Sequence, residues 1–181
     1  MPKQPALPTA SEEDVRALLA RYKCPVPFHE VRTRFLGNVA TPAMSASPIK
    51  TVEDLWDGEL PTFDSIDAAN ELIGALVMGL WNRLSRHQNR NSPFRLTRIE
   101  TAATREGTAT LALMRVQEIE GFVHGLLGRQ EEIDLPERAH RALDDLGKMR
   151  AMFSAVKYLA DDRNCPATST KLRPIVIVQS G

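Results

Sequence analysis

The sequence predicts an all-α protein, a compact bundle of about six helices followed by a short extended C-terminal tail. Three observations predict this class: apolar residues recur at three- and four-residue steps, proline-bearing stretches separate these segments, and strands do not alternate with helices. We expect residues 1–10 to be disordered, residues 11–163 to form a single helical domain, and residues 164–181 to form the tail.

The first part of the chain is predicted to form three short helices. Ser11 is expected to cap the first, because the three acidic residues that follow it favour a helix N-terminus. The apolar face of this helix comprises Val15, Leu18, Leu19 and Tyr22. A second helix is expected to stop before Pro42, and its apolar residues are Val31, Phe35, Leu36 and Val39. Thr51 is expected to cap a third, which bears Val52, Leu55 and Trp56.

The strongest helical signal follows, and either Asp64 or Ser65 is expected to cap it. Its apolar residues recur at helical steps and are Leu72, Ile73, Leu76, Val77, Leu80, Trp81 and Leu84. Ala75, Met78 and Gly79 fill most of the gaps, so the helix is apolar nearly all round. We therefore expect it to be buried on most sides, at the centre of the bundle.

Two longer helices and the tail complete the prediction. One helix should run from about Thr108 to Leu127, and Pro136 suits the first turn of the next. The apolar face of that last helix comprises Ala139, Leu143, Leu146, Met149, Phe153, Val156 and Leu159. We expect Asn164 and the residues after it to stop this helix. The segment LRPIVIV is β-like, but one strand alone is not stable, so we expect it to lie across the helices or to pair with a partner chain.

The segment EIEGFVHGLLG, residues 118–128, combines glycines with a histidine and an apolar run. On a helical wheel Gly121 and Gly125 lie together, opposite the apolar face. Because glycine weakens a helix interior, this stripe indicates that a second helix, from this chain or another copy, approaches closely. Gly128 is expected to end the helix. A phosphate-binding glycine loop would need a strand before it, whereas the preceding residues are helical. We expect His124 to be a boundary histidine with one hydrogen bond rather than a ligand or base.

Composition limits the classes of function. Lys plus Arg and Asp plus Glu number 23 each, and this balance argues against a strongly basic nucleic-acid binder. The first residues are polar and lack a signal segment, so we expect a cytoplasmic protein with two free thiols, Cys24 and Cys165. Neither thiol has a cysteine or histidine at metal-ligand spacing, and we expect no metal or cofactor. The longest apolar region, Leu72 to Trp81, is about half of the ~20 residues that cross a bilayer, so we expect no membrane partner.

Several motifs, in order along the chain, resemble the YecA/YgfB-like family. The central motif lies within Phe63–Leu96, and a second element lies at residues 120–128. The residues that match are Asn82, Leu84, Pro93, Phe94, Gly121, Phe122 and Gly125. Glu118 stands where the family often has tryptophan, and the cysteine-rich zinc motif of some relatives is missing, so no zinc role transfers. The resemblance implies an all-helical bacterial cytoplasmic protein without catalytic residues or established enzymatic activity, in which the matched residues are structural.

Charge is segregated although the total is zero. Residues 52–82 contain seven acids and no Lys or Arg, whereas residues 83–105 contain six arginines and one acid. The residues that we predict to bind a partner or nucleic acid are Arg83, Arg86, Arg90, Arg95 and Arg98. The plainer alternative is that these arginines pair with acids of the same chain. The segregation also suits a homodimer in which an acidic face meets a basic one.

Three functional hypotheses follow from the sequence. The first is a non-enzymatic interaction or regulatory module with a protein partner and a homodimeric state. The second is a nucleic-acid-associated protein that uses the stretch Arg83–Arg105. The third, which we rank last, is a small hydrolase-type enzyme that uses His124 or His87 with nearby carboxylates.

Overall fold

A computed structural model describes residues 10–43, 46–89, 91–128 and 134–162. The helices are α1 (Glu12–Arg21), α2 (Phe28–Ala40), α3 (Pro48–Asp54), α4 (Ile66–Ile73), α5 (Asn82–Ser85), α6 (Arg105–Leu127) and α7 (Glu137–Asp161). A π-helical segment, Gly74–Trp81, joins α4 to α5, and a 3-10 turn, Arg86–Gln88, follows. Residues 66–88 therefore form one continuous rod. With the rod counted once, the described residues contain six helical units and no strand, so the predicted all-α class is confirmed.

Side chains at the helix starts explain most of the boundaries. Ser11 forms a capping box with Asp14, and the Ser65 hydroxyl accepts a hydrogen bond from the Ala68 amide, as the sequence predicts. The predicted cap of α3 is wrong, because Ser47 caps that helix and Pro48 occupies its first turn. Thr51 lies inside α3 and is buried. These caps satisfy amide groups that would otherwise lack a partner.

Helix α6 begins slightly earlier than the sequence indicates. Its first residue is Arg105 rather than Thr108, because the Thr104 hydroxyl accepts a hydrogen bond from the Gly107 amide and so caps the helix there. The C-terminal end agrees with the prediction. Gly128 follows Leu127 with a φ of 59°, a left-handed value that ends the helix and that glycine adopts at low cost.

The rod is buried on one side only, which corrects the expectation that it is buried on most sides. Its buried side chains recur in steps of three and four residues and are Leu72, Ala75, Leu76, Leu80 and Leu84. Ile66 and Met78 point to solvent, with 81% and 57% of their surface exposed. The rod therefore forms a wall of the core rather than its centre.

Helix α2 occupies the centre of the bundle, because different faces of it contact different layers. Phe28, Val31 and Phe35 face the apolar core, which α1, residues 52–55 and the rod complete. Thr33 and Gly37 are also buried, and Gly37 meets the backbone of α6. The Trp81 indole N–H donates to the Asn38 side chain at 2.9 Å and so ties the rod to the C-terminal end of α2.

Helix α7 lies along α6 and contains no buried residue. The two helices run antiparallel, since Arg105 at the start of α6 donates to the carbonyl of Asp162 just after α7. Arg150 pairs with Glu120 between them at 2.6 Å. Five residues of the predicted apolar face are half-buried: Ala139, Leu143, Leu146, Phe153 and Val156. Met149 and Leu159 also belong to the predicted apolar face, but both are exposed.

The predicted stop at Asn164, Cys165, the tail of residues 164–181 and the N-terminal segment up to Thr9 lie outside the described residues. Cys24 is a free thiol, as the sequence predicts, and it lies half-buried between α1 and α2. Its sulphur lies 3.6 Å from the carbonyl oxygen of Val26.

Candidate functional site

Helices α2 and α6 cross at backbone contact, and glycines make this contact sterically possible. A Cβ atom built on Gly125 would overlap the carbonyl oxygen of Arg34, and one built on Gly37 would overlap the carbonyl oxygen of Phe122. At Gly121 such an atom would stand 2.6 Å from the Thr33 hydroxyl, below the 3.0 Å that real Cβ atoms respect. The predicted close approach at Gly121 and Gly125 is therefore present, and the second helix belongs to the same chain.

A seam of buried polar side chains runs beside this crossing. The Glu118 side chain is only 3% exposed and accepts a hydrogen bond from the Arg115 guanidinium, one turn earlier on α6. On α2, Glu30 and Arg34 form an ion pair at 2.8 Å, in which both side chains are largely buried. Such buried charges require partners, because an unpaired charge is expensive to remove from water. Neither pair is predicted from the sequence.

An irregular segment after Pro93 is held against both crossing helices at Thr97. The Arg32 guanidinium of α2 donates to the Thr97 hydroxyl, and Arg115 of α6 donates to the Thr97 carbonyl at 3.2 Å. Phe94 packs against the core, with the Arg32 guanidinium 5.1 Å from its ring centre. Pro93 is exposed at the start of this segment.

The motif residue Asn82 lies at the start of α5 and is exposed. Its side-chain amide donates to the Met78 carbonyl one turn earlier, at 3.1 Å. Phe122 is half-buried on α6. Phe94, Gly37 and the two glycines of α6 thus have clear packing roles, whereas Asn82 at the start of α5 and Pro93 just before Phe94 are exposed.

The predicted arginine stretch divides into an anchored part and an open part. The Arg83 guanidinium is half-buried and donates to the Ala10 carbonyl at 2.8 Å. Arg86, Arg95 and Arg98 are exposed. Among the residues that the structure describes, none of these three forms an ion pair, so the expected pairing with acids of the same chain is not found for them. Arg90 lies outside the described residues.

Arg83 and Arg86 line a cleft of about 280 Å³, which we call the arginine cleft. Its polar lining residues are Glu12, Arg32, Arg83, Arg86, His87 and Ser92, and Leu80 and Leu84 supply the apolar wall. The fold thus brings Arg83 and Arg86 together with Arg32, while Arg95 and Arg98 lie beyond the cleft lining. Arg32 is distant in sequence and shows no local signal of this role.

A second cleft, of about 220 Å³, is lined by His124 together with Lys50, Glu53 and Asp54. Both histidines of the enzyme hypothesis therefore lie at concave surfaces, and that hypothesis stays a prediction. The nearby hydroxyl groups form hydrogen bonds with the backbone. The Ser47 hydroxyl accepts from the Ile49 amide, and the Thr51 hydroxyl donates to the Ser47 carbonyl at 3.5 Å. Within the described ranges, no group of three or more His, Cys, Asp or Glu residues could hold a metal ion.

Helix α7 presents an apolar strip that the rest of the described chain leaves partly open. Its members are Met149, Met152, Val156 and Leu159. They follow steps of three, four and three residues and fall within an arc of about 80° on a helical wheel. We call these four residues the α7 strip.

No family model, curated protein or solved structure matches the chain. The resemblance to the YecA/YgfB-like family therefore stays a prediction. In the part of the chain that the structure describes, none of the helices has the length and apolar composition that crossing a bilayer requires.

Proposed function

We propose that the protein is a non-enzymatic interaction module, and that it acts by pairing its α7 strip with the same strip of a second copy. The observation that supports this proposal is that α7, a helix of 25 residues, contains no buried residue although it carries an apolar strip. A helix of this length in a finished bundle usually buries an apolar stripe. A partner is therefore expected to cover this one.

The spacing of the strip favours a helix as the partner. Steps of three and four residues are the repeat by which two helices pack side by side with interlocking side chains. Two of the four residues are methionines, whose flexible side chains adapt to irregular contacts. The strip is short, so we expect a dimer that dissociates at low concentration.

The charges of α7 favour a second copy of this chain over an acidic or basic partner. The helix carries four acids and five Lys or Arg residues, interspersed along its length. Lys148 pairs with Asp145 and Lys157 with Asp161 within the helix. A face of mixed sign can meet its own copy without net repulsion, most simply in an antiparallel arrangement.

Sedimentation velocity of the full chain over a range of concentrations tests this proposal. We expect a monomer–dimer equilibrium that Met152→Glu and Leu159→Glu shift to monomer. Tyr158→Glu is the matched control, because Tyr158 is 72% exposed on the same helix but lies about 140° from the centre of the strip. A chain that stays monomeric at all concentrations, or a Tyr158→Glu variant that dissociates equally, would contradict the proposal.

A second candidate function is association with nucleic acid, and the observation that favours it is the absence of ion pairs at Arg86, Arg95 and Arg98 in the described residues. Exposed guanidinium groups of this kind suit phosphate. We expect binding to single-stranded nucleic acid that weakens steeply with salt, and that weakens further when these three residues become glutamine. Arg138→Gln on α7 is the control. Retention that is equal in the triple variant and the control would exclude this function.

A further inference from the structure

Two residues that line the arginine cleft each carry a buried N–H group for which no described residue is the acceptor. These groups are Nε of Arg32 and Nη2 of Arg83, and both atoms are shielded from solvent. Buried polar groups almost always have a hydrogen-bond partner in a folded protein. Two unmatched donors on residues that line one cleft therefore indicate that an acceptor is expected beside them.

Both guanidinium groups are fixed in place by other hydrogen bonds. Arg32 donates to the Thr97 hydroxyl through Nη1, and Arg83 donates to the Ala10 carbonyl through Nη1 at 2.8 Å. The Arg32 side chain is only 12% exposed, and its guanidinium also lies beside the Phe94 ring. The unmatched donors thus belong to immobilised groups, and binding an acceptor would require little further ordering of these side chains.

The charge of the cleft specifies the sign of the acceptor. Three arginines line it against one carboxylate, that of Glu12. Arg86 is exposed at the rim and forms no ion pair with a described residue. Nδ1 of His87 donates to the Ser92 carbonyl oxygen at 2.8 Å, so this nitrogen is already used within the chain. An anion is the ligand that these groups favour.

We propose that the arginine cleft binds a phosphate group, held by the guanidinium groups of Arg32 and Arg83 and covered from the solvent side by Arg86. Phosphate offers acceptor oxygens in several directions, which suits donors that come from separate elements. The cleft is several times the ~30 Å³ that a water molecule occupies in the liquid, but it is smaller than most pockets for drug-sized ligands. Inorganic phosphate or the terminal phosphate of a larger molecule therefore fits its size.

Glu12 is the residue that competes with this ligand. Its carboxylate lies 3.6 Å from Nε of Arg32, too far for a hydrogen bond, and its side chain is 46% exposed. A carboxylate so placed neutralises part of the charge of the cleft but can turn toward solvent. Removing its charge is expected to strengthen phosphate binding, whereas removing an arginine is expected to weaken it.

Isothermal titration of the full chain with inorganic phosphate tests the site. We expect Arg83→Gln to weaken binding about tenfold or more, Arg86→Gln to weaken it by a smaller factor, and Glu12→Gln to strengthen it. Arg98→Gln, an exposed arginine outside the cleft, is the control and should bind as the unaltered chain does. Because Arg83 also anchors Ala10, the surface variants Arg86→Gln and Glu12→Gln test the site without disturbing the fold.

Titration with a short oligonucleotide with and without a 5′-phosphate distinguishes the sources of the phosphate group. Preference for the phosphorylated oligonucleotide, lost with Arg86→Gln, identifies a terminal phosphate of nucleic acid as the ligand. Binding of inorganic phosphate alone, with the same dependence on Arg86 and Glu12, identifies a small anion. No phosphate binding at low ionic strength, or binding that neither Arg86→Gln nor Glu12→Gln changes, would overturn the proposal. The phosphate titrations are independent of the pairing of α7, which sedimentation velocity measures separately.

Discussion

Gly125 of α6 lies directly against the backbone carbonyl of Arg34 in α2, so closely that no side chain fits between them. The same crossing places Gly37 of α2 against the carbonyl of Phe122. This reciprocal contact brings the two helix backbones together at the centre of the fold. It also fixes the position of Arg32 and Arg115, which reach from the two helices to Thr97.

The first prediction concerns this contact and uses alanine, which adds only the Cβ atom. Gly125→Ala should lower the free energy of unfolding by about 1–3 kcal/mol or more, because the backbones must separate. Gly147→Ala is the matched control in the middle of α7, where an added Cβ meets nothing within 4 Å. It should raise stability by about 0.5–1 kcal/mol. Urea unfolding of both variants measures the two effects, and changes of the same sign would contradict the close contact.

The second prediction concerns the buried pair of Glu118 and Arg115. Glu118→Leu should cost about 3 kcal/mol, because it leaves the Arg115 guanidinium without its carboxylate in a mostly buried position. The double variant, Glu118→Leu with Arg115→Leu, should cost less than the sum of the two single variants. A double-mutant cycle by urea unfolding measures the coupling. Additive losses would mean that the two side chains do not interact.

The third prediction tests which side of the rod faces the core. Leu76 is fully buried and Met78, two residues later, is mostly exposed. Leu76→Ala should therefore cost about 2–5 kcal/mol, whereas Met78→Ala should change stability by less than about 0.5 kcal/mol. Thermal unfolding of the two variants compares them. A large loss for Met78→Ala would support the all-round burial that the sequence predicts.

Features that depend on nearby residues could be predicted from the sequence. The caps at Ser11 and Ser65 are local, and so is the glycine stripe, because a helical wheel already places Gly121 and Gly125 on one face. The predicted cap of α3 is wrong because Ser47 and Thr51 are both good caps, and Pro48, which favours the first turn, decides between them.

Features that depend on distant contacts could not be predicted in this way. The side of the rod that faces water depends on which helices cover it, and the periodicity of an apolar sequence does not specify this. The arginine cleft likewise joins Arg32 to residues 83–92, about 50 positions further along the chain. The run of arginines in the sequence indicates only the part of the cleft that residues 83–92 contribute. The burial of Glu118 could not be predicted for the same reason, since a charged residue on a helix normally indicates a solvated face.

The fourth prediction concerns stability at low pH. Hydrogen bonds from the Ser11 backbone amide and then from its hydroxyl hold the pKa of Asp14 below its usual range. A lowered pKa contributes stability that is present above the unfolded-state value, about 3.9, and is lost as the pH falls through the folded-state value. Asp14→Asn should therefore be less stable than the unaltered chain at pH 7, and the difference should shrink below about pH 4. Urea unfolding at both pH values measures it, and a constant difference would contradict the assignment.

The fifth prediction concerns the Cys24 thiol. Burial raises the pKa of this thiol, because its thiolate form would lose hydration between α1 and α2. In a Cys165→Ser background, alkylation by iodoacetamide at pH 8 should be much slower than that of free glutathione and should become fast in urea. Since a raised pKa stabilises the fold only while the thiol is neutral, stability should also decline as the pH rises from about 8.5 through the folded-state value. Rapid alkylation of the folded chain would show that the thiol is open to solvent.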